Sequence, residues 1–136
     1  MIRSALHSPD RAAAVLALLV TSGTHVPLIR EHLQEAPYVG WLFIALSVVA
    51  VLLAVALVVA DTPAVWAMTG VVGAASVLAF LVSRTVGLPQ IHDDIGNWSE
   101  SLGYPAITAE AIATVAAVLT LRRAARQRAA LTTRSR

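Results

Sequence analysis

The sequence predicts an all-α fold: an integral membrane up-down-up-down four-helix bundle, with a short amphipathic outer helix between spans three and four. Three observations predict it. First, 57% of the 136 residues are hydrophobic and only 13% are charged, against about 45–50% and about 25% in ordinary soluble domains. A soluble chain of this length could not hide so much apolar surface, so a bilayer must serve as its solvent. Second, the apolar residues fall into four runs. Third, if those runs alternate direction, most ionisable residues between the two tails come to the same end. The length fits a single domain, residues 1–136.

The first run, Ala12 to Ile29, has 18 residues, about 27 Å of helix and barely a span. A secretory signal peptide competes for it. Arg3 and Arg11 precede the apolar stretch, and Thr21-Ser22-Gly23 offers small residues for cleavage. The apolar character continues through Val26 and Leu28, which favours a retained span. The second run, Tyr38 to Ala60, is the clearest. The third covers Ala64 to Val82. The fourth, Ala106 to Leu121, has 16 residues and contains Glu110, so it depends on packing against the others. A basic tail follows from 122 to 136.

Small residues mark faces where helices can approach closely. They are Ala50 and Ala54 on span two, Gly70 and Ala74 on span three, and Ala109, Ala113 and Ala117 on span four. Short links between spans one and two and between two and three favour antiparallel neighbours. Between Gly87 and Pro105, Ile91, Ile95, Trp98 and Leu102 recur at helical spacing among polar residues, the basis for the amphipathic outer helix.

Arginine sets the orientation. The N-terminal tail carries two and the C-terminal tail six, against Arg30 and Arg84 in the other two connections. That asymmetry places both termini in the cytoplasm. Tyr38, Trp41, Trp98 and Tyr104 then mark the outer boundary and Trp66 the inner one. The absence of Lys, with abundant Ala and Val, fits a GC-rich bacterial genome and hence a bacterial inner membrane. The basic tail reads as a topology signal attracted to anionic lipid. No aromatic platform accompanies it, so nucleic acid is not an expected partner. The expected partners are the lipid bilayer and either a second copy of the chain or a larger membrane complex.

The chain has no Cys, which excludes disulfides and thiol chemistry. It has no Gly-x-Ser-x-Gly and no Gly-rich phosphate loop, so nucleophilic catalysis and nucleotide binding find no support. What stands out is a cluster at the outer end: His25, His32, Glu35, Arg84 and Glu110. Glu110 lies inside span four, where an ionised carboxylate costs several kcal/mol unless paired. Arg84, at similar depth, is its expected ion-pair partner, with His25 nearby. The plainer reading is that such a pair only fixes helix register. Glu31, Asp93 and Glu100 read as wet surface.

His25, His32, Glu35 and Asp94 form a possible metal set for copper or zinc. The plainer reading is solvated side chains at a helix end, and haem is a weaker alternative. His25 and His32 are seven residues apart, about 10 Å along a straight helix, so one ion could not take both without a bend at Pro27. Three readings remain open: a binder of a metal ion or small polar ligand, an accessory subunit whose charges only fix packing, and a small proton-coupled carrier using Glu110 and His25.

The stretches HVPLIREHLQEAPYVGWLF from His25 and SRTVGLPQ from Ser83, with the late intramembrane Glu, resemble a family of small four-span bacterial integral membrane proteins. The resemblance covers the chain from the first span to the fourth. It implies the architecture and singles out His25, His32, Glu35, Arg84, Gly87, Pro89, Asp94 and Glu110. It implies no activity. After Leu88-Pro89 the pattern calls for Gly, whereas this chain has Gln90.

Overall fold

The computed structural model describes residues 9–134, which are mostly helical with no strand among them. Arg3 of the signal-peptide reading and Arg136 of the basic tail lie outside the described residues. Four segments are long and apolar enough to cross a membrane.

Helix α1, Pro9–His25, opens with Pro and Asp10 in its first turn, where a missing N–H and a negative charge both suit a helix N-terminus. Pro27 then interrupts the α pattern. Val26–Leu28 tighten into a 3₁₀ turn, and α2, Ile29–Glu35, resumes the helix. Pro37 disfavours helical backbone at Ala36, which adopts φ −142° and ends α2. The same proline starts α3, Pro37–Val59.

Asp61-Thr62-Pro63 turns the chain into α4, Pro63–Thr85. Pro63 begins that helix, and the Thr62 hydroxyl accepts the Val65 N–H. Helix α4 closes at Gly87, whose φ of +86° lets its N–H reach the Val82 carbonyl at 2.9 Å. Helix α5, Gly103–Arg134, has 32 residues, about 48 Å of helix. It runs through the expected fourth span and on through the basic stretch, so the helix is longer than its apolar run.

The amphipathic outer helix does not form. Residues 86–102 hold only a 3₁₀ turn, His92–Asp94, between positive-φ positions at Gly87, Gln90 and Gly96. Three left-handed residues and Pro89 interrupt any helical run. Instead of lying on an interface, Ile91 is buried with Ala36 and Val39, joined by Leu88 and Phe43. The Tyr38 hydroxyl fastens this flap by donating to the Pro89 carbonyl at 2.8 Å.

The main core is rich in alanine. Ala14, Ala17 and Leu18 meet Ala50, Leu53, Ala54 and Leu57, together with Trp66, Ala109, Ala113 and Ala117. The expected small faces on α3 and α5 are therefore in use. On α4 only half of the expected pair is used: a Cβ at Gly70 would sit 3.2 Å from the Ala117 Cβ. Ala74 is exposed, while Gly73 is buried where a Cβ would sit 2.8 Å from the Glu110 carbonyl oxygen.

Helix α5 packs extensively against both α1 and α4, and α1 against α3. Helices α3 and α4 touch least of these pairs, although only residues 60–62 join them. Short linkage favours adjacency, but the small residues of α4 draw it onto α5 and leave a seam beside α3. At one end of the molecule Asp10 pairs with Arg123, Arg11 with Asp61, and the Trp66 indole N–H with Asp61 at 2.6 Å. The outer surface is apolar, with Leu42, Val48, Leu52, Val55, Val71 and Leu78 exposed.

Candidate functional site

The seam between α3 and α4 opens into a cavity of about 320 Å³. Its apolar wall includes Leu28, Val39, Leu42, Phe43, Leu46 and Phe80. Ala75, Ser76 and Ala79 on α4 are too small to fill it. Its polar wall consists of His25, His32, Arg84, Asp94, Glu100 and Glu110. The cavity thus gathers four of the five residues expected in the cluster. Glu35, the fifth, is exposed and does not line it.

His25 is the last residue of α1 and is 8% exposed. Its Nδ1 lies 2.8 Å from the Thr21 carbonyl oxygen. A carbonyl only accepts, so Nδ1 carries the proton. Nε2 faces Glu110 Oε1 at 3.7 Å, beyond hydrogen-bond reach. His32 is fixed the same way, with Nδ1 2.9 Å from the Leu28 carbonyl. The 3₁₀ turn at Pro27 supplies the bend, and both imidazoles pack on Phe43 with centroids 4.7 Å from its ring. Phe43, absent from the expected site, is the wedge that sets both rings.

Glu110 is 3% exposed. Its backbone carbonyl takes the Thr114 hydroxyl at 2.8 Å, while its nearest charged partner is His25. The expected Arg84–Glu110 ion pair is not formed. Arg84, 5% exposed, instead binds Asp94 at 2.7 Å and Glu100, with its guanidinium 5.0 Å from the Phe80 ring centroid. The reason is reach. Gly96 N–H bonds the Arg84 carbonyl at 2.9 Å, which folds the acidic connection back over the end of α4. Glu100, read from the sequence as wet surface, is therefore a principal partner of Arg84. An arginine at the end of an apolar run signals that counter-charges are needed, but the sequence does not say which ones.

One guanidinium meets three carboxylates in this wall. Two of them are engaged by Arg84, and Glu110 has only the imidazole. The nearby hydroxyls are mostly spent on their own helices. Thr24 bonds the Val20 and Thr21 carbonyls at 3.0 Å each, as membrane helices commonly allow. Thr108 lies on a separate shallow groove between α1 and α5. Among the described residues no three His, Asp or Glu side chains are grouped to hold a metal ion. His25, His32 and Asp94 would have to close on one point, and Glu35 is turned away.

Comparison with known proteins finds no matching family model, no similar curated protein and no similar solved structure.

Proposed function

We propose that this chain is a multi-pass membrane protein that binds a small, largely apolar ligand carrying one polar group, held between α3 and α4. The cavity carries the reading. It sits at the low end of the about 300–1,000 Å³ usual for small-molecule sites, and like them it is mostly apolar with a few convergent polar groups. A free metal ion would use only the polar wall. A soluble polar ligand would waste the apolar one.

In this reading the spans are α1 with α2, α3, α4 and α5, alternating in direction. The arginines of α5 and the Asp61 turn lie on the cytoplasmic side, and the acidic connection lies outside. The apolar exposed faces support insertion, because in water they would form a patch far above the few hundred Å² that monomers tolerate.

The test is a small fluorescent probe, 1-aminoanthracene, titrated into protein in nanodiscs with empty nanodiscs as the control. We expect saturable emission at one site per chain, lost in Ala79→Phe and Ser76→Phe, which fill the cavity. Emission that only partitions with lipid, or is unchanged in both variants, refutes the reading.

A further inference from the structure

Apart from Arg84 and the hydroxyls of Ser76 and Ser83, the polar side chains lining the cavity offer acceptors. Nδ1 of His25 and of His32 is committed to a backbone carbonyl. When neutral, each ring therefore presents a bare Nε2 lone pair. The Glu110 carboxyl group is 3% exposed and lines the cavity, and no described residue gives it a hydrogen bond. The opposing donors are on Arg84, and its charge is already exceeded by Asp94 and Glu100. Arg84 Nε is buried without an acceptor, but an anion brought to it would join two carboxylates around a single cation.

From this we propose, resting on the ligand-binding reading above, that the cavity takes a lipophilic cation of the organic ammonium class and releases a proton in exchange. At 3.7 Å the pair makes no hydrogen bond, but a bare imidazole lone pair facing a carboxylate inside a largely apolar wall leaves a buried negative charge uncompensated, and one proton on either group removes that cost. In the empty site His25 and Glu110 therefore hold one proton jointly, as imidazolium with carboxylate or as imidazole with carboxylic acid. An ammonium group placed beside Glu110 substitutes for that proton. The carboxylate stays countered by the ligand, and the proton leaves to water.

The charge balances: one positive charge enters and one departs. Phe43 and Phe80 line the same space, and Phe80 already takes the Arg84 guanidinium 5.0 Å from its ring centroid. The groups that modulate the exchange are His25 from α1, His32 from α2, Arg84 from α4, Glu110 from α5, and Asp94 and Glu100 from the connection. Helix α3 lines the cavity with Val39, Leu42, Phe43 and Leu46 and adds no titratable group.

Three compounds of nearly one shape separate charge from fit: benzyltrimethylammonium, neutral neopentylbenzene and anionic phenylmethanesulfonate. Each is used to displace 1-aminoanthracene from the protein in nanodiscs of uncharged lipid. We expect the ammonium compound to displace at least about tenfold below the neutral one, and the sulfonate least well. The quaternary nitrogen cannot carry a proton itself. Release of up to one proton per ammonium bound, read with a dye in weakly buffered solution, must therefore come from the site.

The affinity of the cation should rise by up to about tenfold per pH unit while the site holds its proton, then level off. The neutral compound should show no slope. Glu110→Gln should abolish both slope and proton release while still binding neopentylbenzene, which also shows that it is folded. Equal binding of the neutral and cationic compounds, preference for the sulfonate, or cation binding without proton release overturns the exchange and leaves the cavity reading intact. If 1-aminoanthracene itself does not bind saturably, both fall.

Discussion

Gly73 is where the packing of α4 on α5 can be tested most sharply. Alanine at this position would put a Cβ 2.5 Å from Thr114 Oγ1 and 2.8 Å from the Glu110 carbonyl oxygen. The hydroxyl could rotate only by giving up its 2.8 Å bond to that same carbonyl. The carbonyl is backbone and cannot rotate, so α4 must retreat by roughly 0.5 Å to restore ordinary contact.

Overpacking of this kind costs about 1–3 kcal/mol, offset by about 0.5–1 kcal/mol for replacing glycine in a helix. The net expected loss for Gly73→Ala is up to about 2.5 kcal/mol, and about 1–3 kcal/mol relative to a glycine replacement that meets no neighbour. Gly23→Ala is the matched control, since a Cβ there meets nothing within 4 Å and should be neutral or slightly stabilising. Steric trapping in bicelles measures both. Equal stability of the two variants would refute the close α4–α5 approach, and with it the placement of Glu110 beside α4.

Arg84→Gln should free the acidic connection and cost on the order of 2 kcal/mol. That is less than the about 3–5 kcal/mol of a fully buried pair, because Asp94 and Glu100 keep 26% and 27% of their side-chain surface exposed. Hydrogen exchange should show faster amides across residues 86–102, and an unchanged pattern would contradict the contacts. In double-mutant cycles Arg84→Gln should couple with Glu100→Gln, yet add to Glu110→Gln within about 0.5 kcal/mol. Strong coupling with Glu110 would restore the ion pair that the structure does not contain. For orientation, the cysteine-free chain gives a clean background. Ser99→Cys should react with an impermeant maleimide added to intact cells, and Ala64→Cys only after permeabilisation. The reverse pattern would invert the topology.

Gln90 shows how far local reading reached. The family-like pattern calls for Gly after Leu88-Pro89, and Gln90 adopts φ +72°, the left-handed region that favours glycine. Gln at this position hid the turn, so the spacing of Ile91, Ile95 and Trp98 suggested an outer helix instead. Periodicity alone could not choose, because Leu88 and Ile91 satisfy helical spacing while in fact burying against Ala36 and Val39. Glu100 was missed for a related reason. Its role depends on where the connection folds, which is fixed by hydrogen bonds such as Gly96 N–H to Arg84 rather than by its neighbours in sequence.

The sequence by itself determined the four apolar helices and the small-residue faces of α3 and α5, because hydropathy and side-chain volume act over a few residues. It also identified His25, His32, Arg84 and Glu110 as residues whose setting needs explaining. Only the tertiary structure decided who pairs with whom. Arg84 turns to Asp94 and Glu100, Glu110 meets His25, and Phe43 gathers two histidines. The cavity belongs to the same level. It exists because α4 leans on α5 through Gly73 and leaves α3, and that choice is made by competition between whole helix faces rather than by any one segment.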